Sequence, residues 1–138
     1  MKILLPDHKR WVHDSLMDVR WGDMDSLGHV NNTVYFRYME QARVEWIEAM
    51  RIPVRPGGDG PVIINAACTF LRPMTYPGTV EVRTLIGALG RSSCETFVEM
   101  RIDGELYAEG SAKVVWMNTL SGKSVPLPDD VRALLEGA

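Results

Sequence analysis

The 138-residue chain has few of the cysteines that are typical of metal sites and of disulfide-bonded secreted domains. It has only Cys68 and Cys94, and neither has a partner at the spacing of a metal site, so no metal is predicted. Both lie in strand-like stretches, which indicates reduced thiols packed in a core. Free thiols of this kind favour a cytoplasmic location.

Long apolar runs and a surplus of positive charge are also missing. The apolar run before Pro6 is only three residues long, too short for the apolar region of a signal peptide, and no run approaches the length of a membrane span. We therefore expect no membrane partner. The formal net charge of −3 and pI near 5.6 argue against nucleic acid as the main partner, because phosphate backbones attract basic surfaces.

What is present is an ordinary globular composition. Hydrophobic residues make up 46% of the chain, enough for a core of its own. There is no internal repeat, no low-complexity segment and no linker long enough to separate domains. The length then predicts one domain over residues 1–138.

A long helix is predicted over residues 32–50. Apolar and large side chains recur there at steps of three and four, which is the helical period. The stripe comprises Tyr35, Phe36, Met39, Ala42, Arg43, Trp46, Ile47 and Met50. At about 1.5 Å per residue the helix would be roughly 28 Å long, and only a wide sheet could bury such a stripe.

Strands are predicted around this helix. Residues 15–21 alternate before it, with Met17, Val19 and Trp21 on one face. After it come a nearly all-apolar run at 62–71, which predicts a strand covered on both faces, and three alternating runs. The alternating runs are 79–89, 92–102 and 105–118.

Turn residues separate the predicted elements. Asp103-Gly104 between two alternating runs is typical of a two-residue hairpin. Residues 57–60, flanked by Pro53, Pro56 and Pro61, predict a flexible loop after the long helix. The acidic start of residues 128–135 predicts a short terminal helix. The fold class is therefore α+β, with an antiparallel five-stranded sheet wrapped around one long central helix.

The segment before the long helix concentrates the chemistry. In DMDSLGHVNN, which spans residues 23–32, two carboxylates, one imidazole and two adjacent amides lie within ten residues. The turn-forming residues 26–28 allow a carboxylate to fold back over the helix start. Free N–H groups of a first helical turn favour negative charge. A base and oxyanion donors on either side of one small space is the arrangement that acyl transfer requires.

This order of elements, together with the motif, resembles that of the hotdog fold. More narrowly, the chain resembles the 4-hydroxybenzoyl-CoA thioesterase family of acyl-CoA thioesterases. The resemblance extends over nearly the whole chain. It is strongest in RWGDMD at 20–25, GHVNN at 28–32 and YFRYMEQARVEW at 35–46, with weaker support at 70–73, 76–78, 90–93, 108–110 and 114–117.

The resemblance implies a reaction and its residues. The family's general base or nucleophile falls on Asp25, which could attack the thioester carbonyl or activate a water. The backbone N–H that polarises the carbonyl falls on Asn32. The expected reaction converts a CoA thioester to free acid and CoA without metal or other cofactor. The family also implies a homodimer with one continuous sheet and two sites at the interface, each using Asp25 of one subunit near the helix start of the other. Such dimers could pair into a dimer of dimers.

Other side chains near the motif have competing roles. Asn31 and Asn32 compete as helix N-cap, and the one that does not cap could orient Asp25 or a water. The carbonyl oxygen would meet the N–H of Asn32 or Thr33. His29 could line the pocket or bond to nearby backbone. We interpret Asp23 as structural.

The family is not uniform. HVNN is similar to plant acyl-ACP thioesterases and to many bacterial acyl-CoA thioesterases. The plant enzymes have an Asn two residues before the His, where this chain has Leu27. That difference leaves Asp25 ahead of His29 as the base.

Further candidates lie outside the motif. Some hotdog thioesterases place the catalytic carboxylate on the helix, so Glu40 is the backup for Asp25, although an ion pair with Arg43 explains it better. Positions that resemble the family's substrate-binding residues are Thr33, Tyr35, Arg72, Arg91, Ser92 and Ser93.

Two other functions stay open. One is hydrolysis of thioesters on acyl carrier protein, which basic residues at the tunnel mouth would favour. The other is a non-catalytic acyl-CoA binding or sensing module, because fold alone does not fix function. Dehydratases of this fold use a His with a helix-borne acid, which the D-x-D motif does not match.

Overall fold

The computed structural model describes residues 3–52 and 57–137. The elements in chain order are strand β1 (Arg10–Asp18), a short 3-10 turn (Trp21–Asp23), helix α1 (Asn32–Ala49), strands β2 (Asp59–Phe70), β3 (Thr79–Leu89), β4 (Ser93–Ile102) and β5 (Glu105–Asn118), and helix α2 (Asp129–Glu136).

The five strands form one antiparallel sheet in the order β1-β3-β4-β5-β2, so β1 and β2 are its edges. Helix α1 packs against one face and contacts β1, β2 and β3. The predicted sheet around one long helix is confirmed. The hairpin at Asp103-Gly104 is confirmed too: both residues have positive φ, at 51° and 80°, as the favoured two-residue turn requires.

The core lies between α1 and the sheet. Helix residues 35, 38, 39 and 42 pack against the inward side chains of β3, β4 and β5, among them Val82, Val98 and Met100. The alternation predicted for these strands is therefore confirmed, with Glu81 and Arg83 on the opposite face. Tyr38 belongs to this core although the predicted stripe omitted it.

Packing of the Met39 side chain of α1 on β5 depends on Gly110. An added Cβ there would lie 2.8 Å from Val98 Cγ2 and 2.9 Å from both Met39 Sδ and Met39 Cε. These separations are shorter than van der Waals contact, so only glycine lets the Met39 side chain lie on the strand.

A second apolar cluster closes the other end of the sheet. Trp46 near the end of α1 packs with Trp116 of β5 and with Val131 and Leu135 of α2. Helix α2 is the short terminal helix that the sequence predicts. None of the helices in the described part of the chain is long and apolar enough to span a bilayer.

Two strand predictions need correction. Strand β1 runs from Arg10 to Asp18 rather than over residues 15–21, because a register shift between Trp11 and His13 breaks the alternation that would reveal its start. After Val19 the chain enters the 3-10 turn, so Trp21 is 73% exposed instead of facing inward.

Strand β2 starts at Asp59, and it is not covered on both faces. Ile64, Ala66, Ala67 and Phe70 are exposed, since β2 is an edge strand of the single chain. The predicted loop after α1 falls partly on residues 53–56, outside the described residues, while Asp59, Gly60 and Pro61 belong to β2.

Because a Cβ at Gly110 would overlap Met39 and Val98, Gly110→Ala should destabilise the protein by about 1–3 kcal/mol, the usual cost of overpacking a core. Gly22→Ala is the matched control, because no atom lies within 4 Å of a Cβ at that exposed position. Urea denaturation at equal protein concentration compares the two variants with the parent chain. Equal stability of the two variants would show that the Met39 and Val98 side chains can move aside at little cost.

Candidate active site

The loop from β1 to α1 is fixed at Asp23. One oxygen of this carboxylate accepts the backbone N–H of Arg20 at 2.9 Å and the hydroxyl of Tyr38 at 2.8 Å. The Asp23 carbonyl accepts the N–H of Asn31 at 2.9 Å. Burial, followed by the hydrogen bond to Asp23, raises the pKa of Tyr38, so its hydroxyl stays a donor. This arrangement fits the structural role predicted for Asp23.

Asp25 lies on a tight turn within the same loop. Its N–H donates to the His29 carbonyl at 2.8 Å, and its carbonyl accepts the N–H of Gly28, whose φ of 79° suits glycine. One carboxylate oxygen accepts the N–H of Leu27 at 3.0 Å, and the other accepts the side-chain amide of Asn31 at 3.4 Å. The half-buried carboxylate is thus held from both sides.

Asn31 is the N-cap of α1. Its side-chain oxygen accepts the N–H of Thr33 at 3.0 Å and the Thr33 hydroxyl at 2.6 Å. The competition between the two asparagines is thereby decided: Asn31 both caps the helix and reaches Asp25. Because the Thr33 N–H is already bonded, the N–H of Asn32 is the first-turn donor without an acceptor in the helix.

Asp25 and the helix start line one cleft of about 270 Å³. Its polar lining is Asp25, His29, Asn32 and Arg72. Its apolar lining is Val30, Tyr35, Phe70, Leu71 and Pro73. A carboxylate, a free helix terminus and an apolar wall therefore share one small space, which is what acyl transfer from an apolar donor requires.

Tyr35 and Phe70 form the aromatic side of the cleft. Their rings meet edge to face with centroids 4.8 Å apart. The Tyr35 hydroxyl donates to the Arg72 carbonyl and accepts the N–H of Met74, both at 3.4 Å. Burial raises the pKa of Tyr35, the Met74 hydrogen bond opposes that shift, and the nearby Cys68 adds to it.

Comparison with known proteins identifies the family. The model of the "Thioesterase-like superfamily" matches residues 19–135. The chain belongs to this superfamily. It is a thioester hydrolase, and the predicted 4-hydroxybenzoyl-CoA thioesterase resemblance and hotdog fold are confirmed.

Individual relatives agree with this assignment. The chain is similar to PA2801 from Pseudomonas aeruginosa, provisionally described as a thioesterase, with a TM-score of 0.86, 40% identity, and coverage of 91% of this chain and 99% of that one. A gentisyl-coenzyme A thioesterase structure has a TM-score of 0.82, 26% identity, and coverage of 89% and 99%. A protein of Aquifex aeolicus, provisionally described as an esterase, is 29% identical over 121 residues, or 86% of this chain and 93% of its own.

Several predicted site residues of this thioesterase lie outside the Asp25 cleft. Glu40 lines a different groove, between β1 and α1, and pairs with Arg37 at 2.9 Å rather than with the predicted Arg43. Arg43 has its pKa lowered by burial, with Glu40 opposing the shift. Residues 91–93 lie at the β3–β4 turn, where the Ser92 carbonyl accepts the N–H of Trp116. Within one chain, none of Glu40, Arg91, Ser92 and Ser93 lines the Asp25 cleft.

Arg72 and His29 do reach the cleft. Arg72 pairs with Glu105 at 3.0 Å, and both side chains are 58% exposed, so an incoming anion could replace the carboxylate at little cost. His29 is exposed, and its carbonyl supports the Asp25 turn. Its imidazole lines the cleft and has no hydrogen bond to a described residue.

The thiols lie outside the catalytic lining. Burial raises the pKa of Cys68 to about 11 and that of Cys94 to about 12, so both stay protonated and unreactive near neutral pH. Within residues 3–52 and 57–137, no three His, Cys, Asp or Glu side chains are grouped closely enough to hold a metal ion.

The sequence prediction missed most of the apolar wall. Phe70, Leu71 and Pro73 flank the predicted Arg72, and the run FLRP belonged to the family resemblance, which could have indicated them. Val30 had a similar signal, because it lies inside the motif between His29 and Asn31.

Asn31→Ala should lower the free energy of unfolding by about 1 kcal/mol, because the helix loses its cap. Asn31→Ser keeps an oxygen that can accept the Thr33 N–H, so we expect it to stay within about 0.5 kcal/mol of the parent chain. Chemical denaturation measures both. If serine destabilises as much as alanine, the amide contact with Asp25 contributes the stability instead of the cap.

Proposed function

We propose that this chain hydrolyses an acyl-CoA thioester to the free carboxylic acid and CoA, with Asp25 as the base or nucleophile. The observation that carries the proposal is the cleft that Asp25 shares with the first turn of α1. Similarity to a gentisyl-coenzyme A thioesterase supports CoA as the leaving group. The protein would work without metal or other cofactor, and its unpaired thiols suit the reducing cytoplasm.

The hydrogen bonds of Asp25 suit either catalytic role. Leu27 and Asn31 each donate to one oxygen, which orients the carboxylate while leaving lone pairs free. As a nucleophile, one oxygen would attack the carbonyl carbon, form a mixed anhydride and release the CoA thiolate; water would then hydrolyse the anhydride. As a base, it would take a proton from the attacking water. A thiolate leaves readily in both routes.

Polarisation of the carbonyl falls to Asn32 in this proposal. Its N–H lacks an acceptor in the helix, and the positive end of the α1 dipole adds to its pull on a developing oxyanion. Thr33 is less suited, since Asn31 already engages its N–H. Arg72, at the cleft mouth, would attract the CoA phosphates.

A homodimer would complete the site. Edge strand β2 exposes Ile64, Ala66 and Ala67, and it ends at Phe70 in the cleft. Antiparallel pairing of two β2 strands would cover this apolar edge. It would also bring the Asp59 end of one copy towards the cleft of the other. Asp59 pairs with Asn118, near the segment where Trp116 bonds to Ser92.

Residues 91–93 of one copy would thereby approach the CoA bound to the other. This is a route by which Arg91, Ser92 and Ser93 bind substrate despite their distance from Asp25 in the same chain. A further pairing would give a dimer of dimers.

Asp25→Asn should lower kcat by about 100- to 10,000-fold, the typical contribution of a positioned base, with little change in stability. Glu40→Gln is the control and should retain near-parental turnover, because Glu40 faces the other groove. A thiol reagent follows release of CoA from short, medium, long and aromatic acyl-CoAs, with acyl carrier protein thioesters alongside.

The same assay separates the alternatives. Full activity of Asp25→Asn with loss in Glu40→Gln would place the base on the helix. Acyl-CoA binding without thiol release would indicate a binding module, and preference for carrier-protein thioesters would change the substrate class.

Ile64→Lys should convert the proposed dimer to monomer, because it puts a charge on each copy in the paired edge. Ile64 is 51% exposed, so folding of the single chain should tolerate the change. Leu16→Lys, on the opposite edge strand, is the control. Light scattering after size exclusion gives the mass of each. A parental chain that is monomeric at micromolar concentration would contradict the dimer.

A further inference from the structure

Two buried side chains of the lining, Tyr35 and Val30, close the inner end of the Asp25 cleft, and Tyr35 is the larger. Tyr35 lies one helical turn after Asn32, so the two project from the same side of α1 at the cleft. Tyr35 is only 2% exposed, whereas its neighbour Phe70 is 43% exposed. Phe70 is therefore an open side wall, and Tyr35 is the floor.

Behind Tyr35 the space between helix and sheet is filled. Tyr38 lies next to Tyr35, with ring centroids 6.5 Å apart. Met39 packs on Gly110, and Gly110 pairs across the sheet with Cys68, whose thiol is close enough to affect the Tyr35 hydroxyl. An acyl chain that enters past Asp25 therefore meets the Tyr35 ring before it can run along the helix.

The ring is also held in place. The Arg72 carbonyl and the Met74 N–H both bond to its hydroxyl, and Phe70 packs against its face or edge. The two hydrogen bonds are long and individually weak, but turning the ring out would leave Met74 N–H buried without that partner. Tyr35 is thus a fixed floor rather than a mobile gate.

We propose that Tyr35 sets the acyl specificity of this thioesterase: its ring closes the cleft so that the site takes a short or compact acyl group and excludes long chains. This inference rests on the proposed function and adds the class of acyl group to it. Apolar Phe70, Leu71 and Pro73 would contact the acyl group along the sides. One methylene in an apolar pocket changes kcat/KM by roughly 10- to 200-fold, enough for a single floor residue to select length.

The experiment measures kcat/KM for a series of acyl-CoAs. The series contains acetyl-, butyryl-, hexanoyl-, octanoyl-, dodecanoyl- and benzoyl-CoA. The parental chain should prefer the shorter acyl groups and benzoyl-CoA, with a steep fall towards dodecanoyl-CoA. Tyr35→Leu removes most of the ring and should raise the octanoyl-to-butyryl ratio of kcat/KM by about 10-fold or more.

Tyr35→Phe is the matched control. It keeps the ring and loses only the hydroxyl, so the order of preference should stay that of the parental chain even if turnover falls. A ratio that shifts equally in Tyr35→Phe and Tyr35→Leu would overturn the floor role and assign the effect to the Arg72–Met74 hydrogen bonds.

Other outcomes also decide the question. Efficient hydrolysis of dodecanoyl-CoA by the parental chain would overturn the inference without any variant, which covers the case that Tyr35→Leu fails to fold. A folded, active Tyr35→Leu with an unchanged profile would overturn it too, while leaving the proposed function standing. Absence of turnover on every thioester would instead overturn the proposed function, and this inference with it.

Discussion

The hydrogen bond between Tyr38 and Asp23 is the contact on which the rest of the site depends. The Tyr38 hydroxyl on α1 donates to the Asp23 carboxylate at 2.8 Å and so joins the helix to the loop that precedes it. Through the Asp23 carbonyl, the same loop is tied to Asn31, the helix cap. Asp25 lies between these two fixed points. Its carboxylate consequently has a defined position relative to the helix start, which a loop held only at its ends would not provide.

The two carboxylates of the D-x-D motif have different hydrogen-bond partners. Asp23 holds Arg20 and Tyr38 through one carboxylate oxygen, and it does not line the Asp25 cleft. Asp25 accepts two hydrogen bonds on separate oxygens and still faces the cleft. Residues two apart in sequence thus have different surroundings, which suit Asp23 to a structural role and Asp25 to the proposed catalytic one.

The exposed edge strand β2 ends at the site, which links the site to the proposed dimer. The strand exposes apolar side chains along its length and delivers Phe70 to the cleft at its end. A second copy on this edge would bury those side chains and extend the wall of the site in one step. Selection for a complete site and selection against an exposed edge would therefore act on the same strand.

The sequence by itself determined the element order, the sheet around one helix, the hairpin at Asp103-Gly104 and the candidate Asp25, because each is encoded by local spacing or by a contiguous motif. It could not reveal the start of β1, where a bulge breaks the alternation, or the exposure of β2, which depends on its place at the sheet edge. Only the tertiary structure decided that Asn31 is the cap, that Glu40 faces another groove and that Phe70 meets Tyr35. The groove that Glu40 faces and the Tyr35–Phe70 contact depend on residues far apart in the chain, and no local pattern records which distant side chains meet. The cap contact of Asn31 with Thr33 is local, but two adjacent asparagines offer the same side chain, so the sequence does not distinguish them.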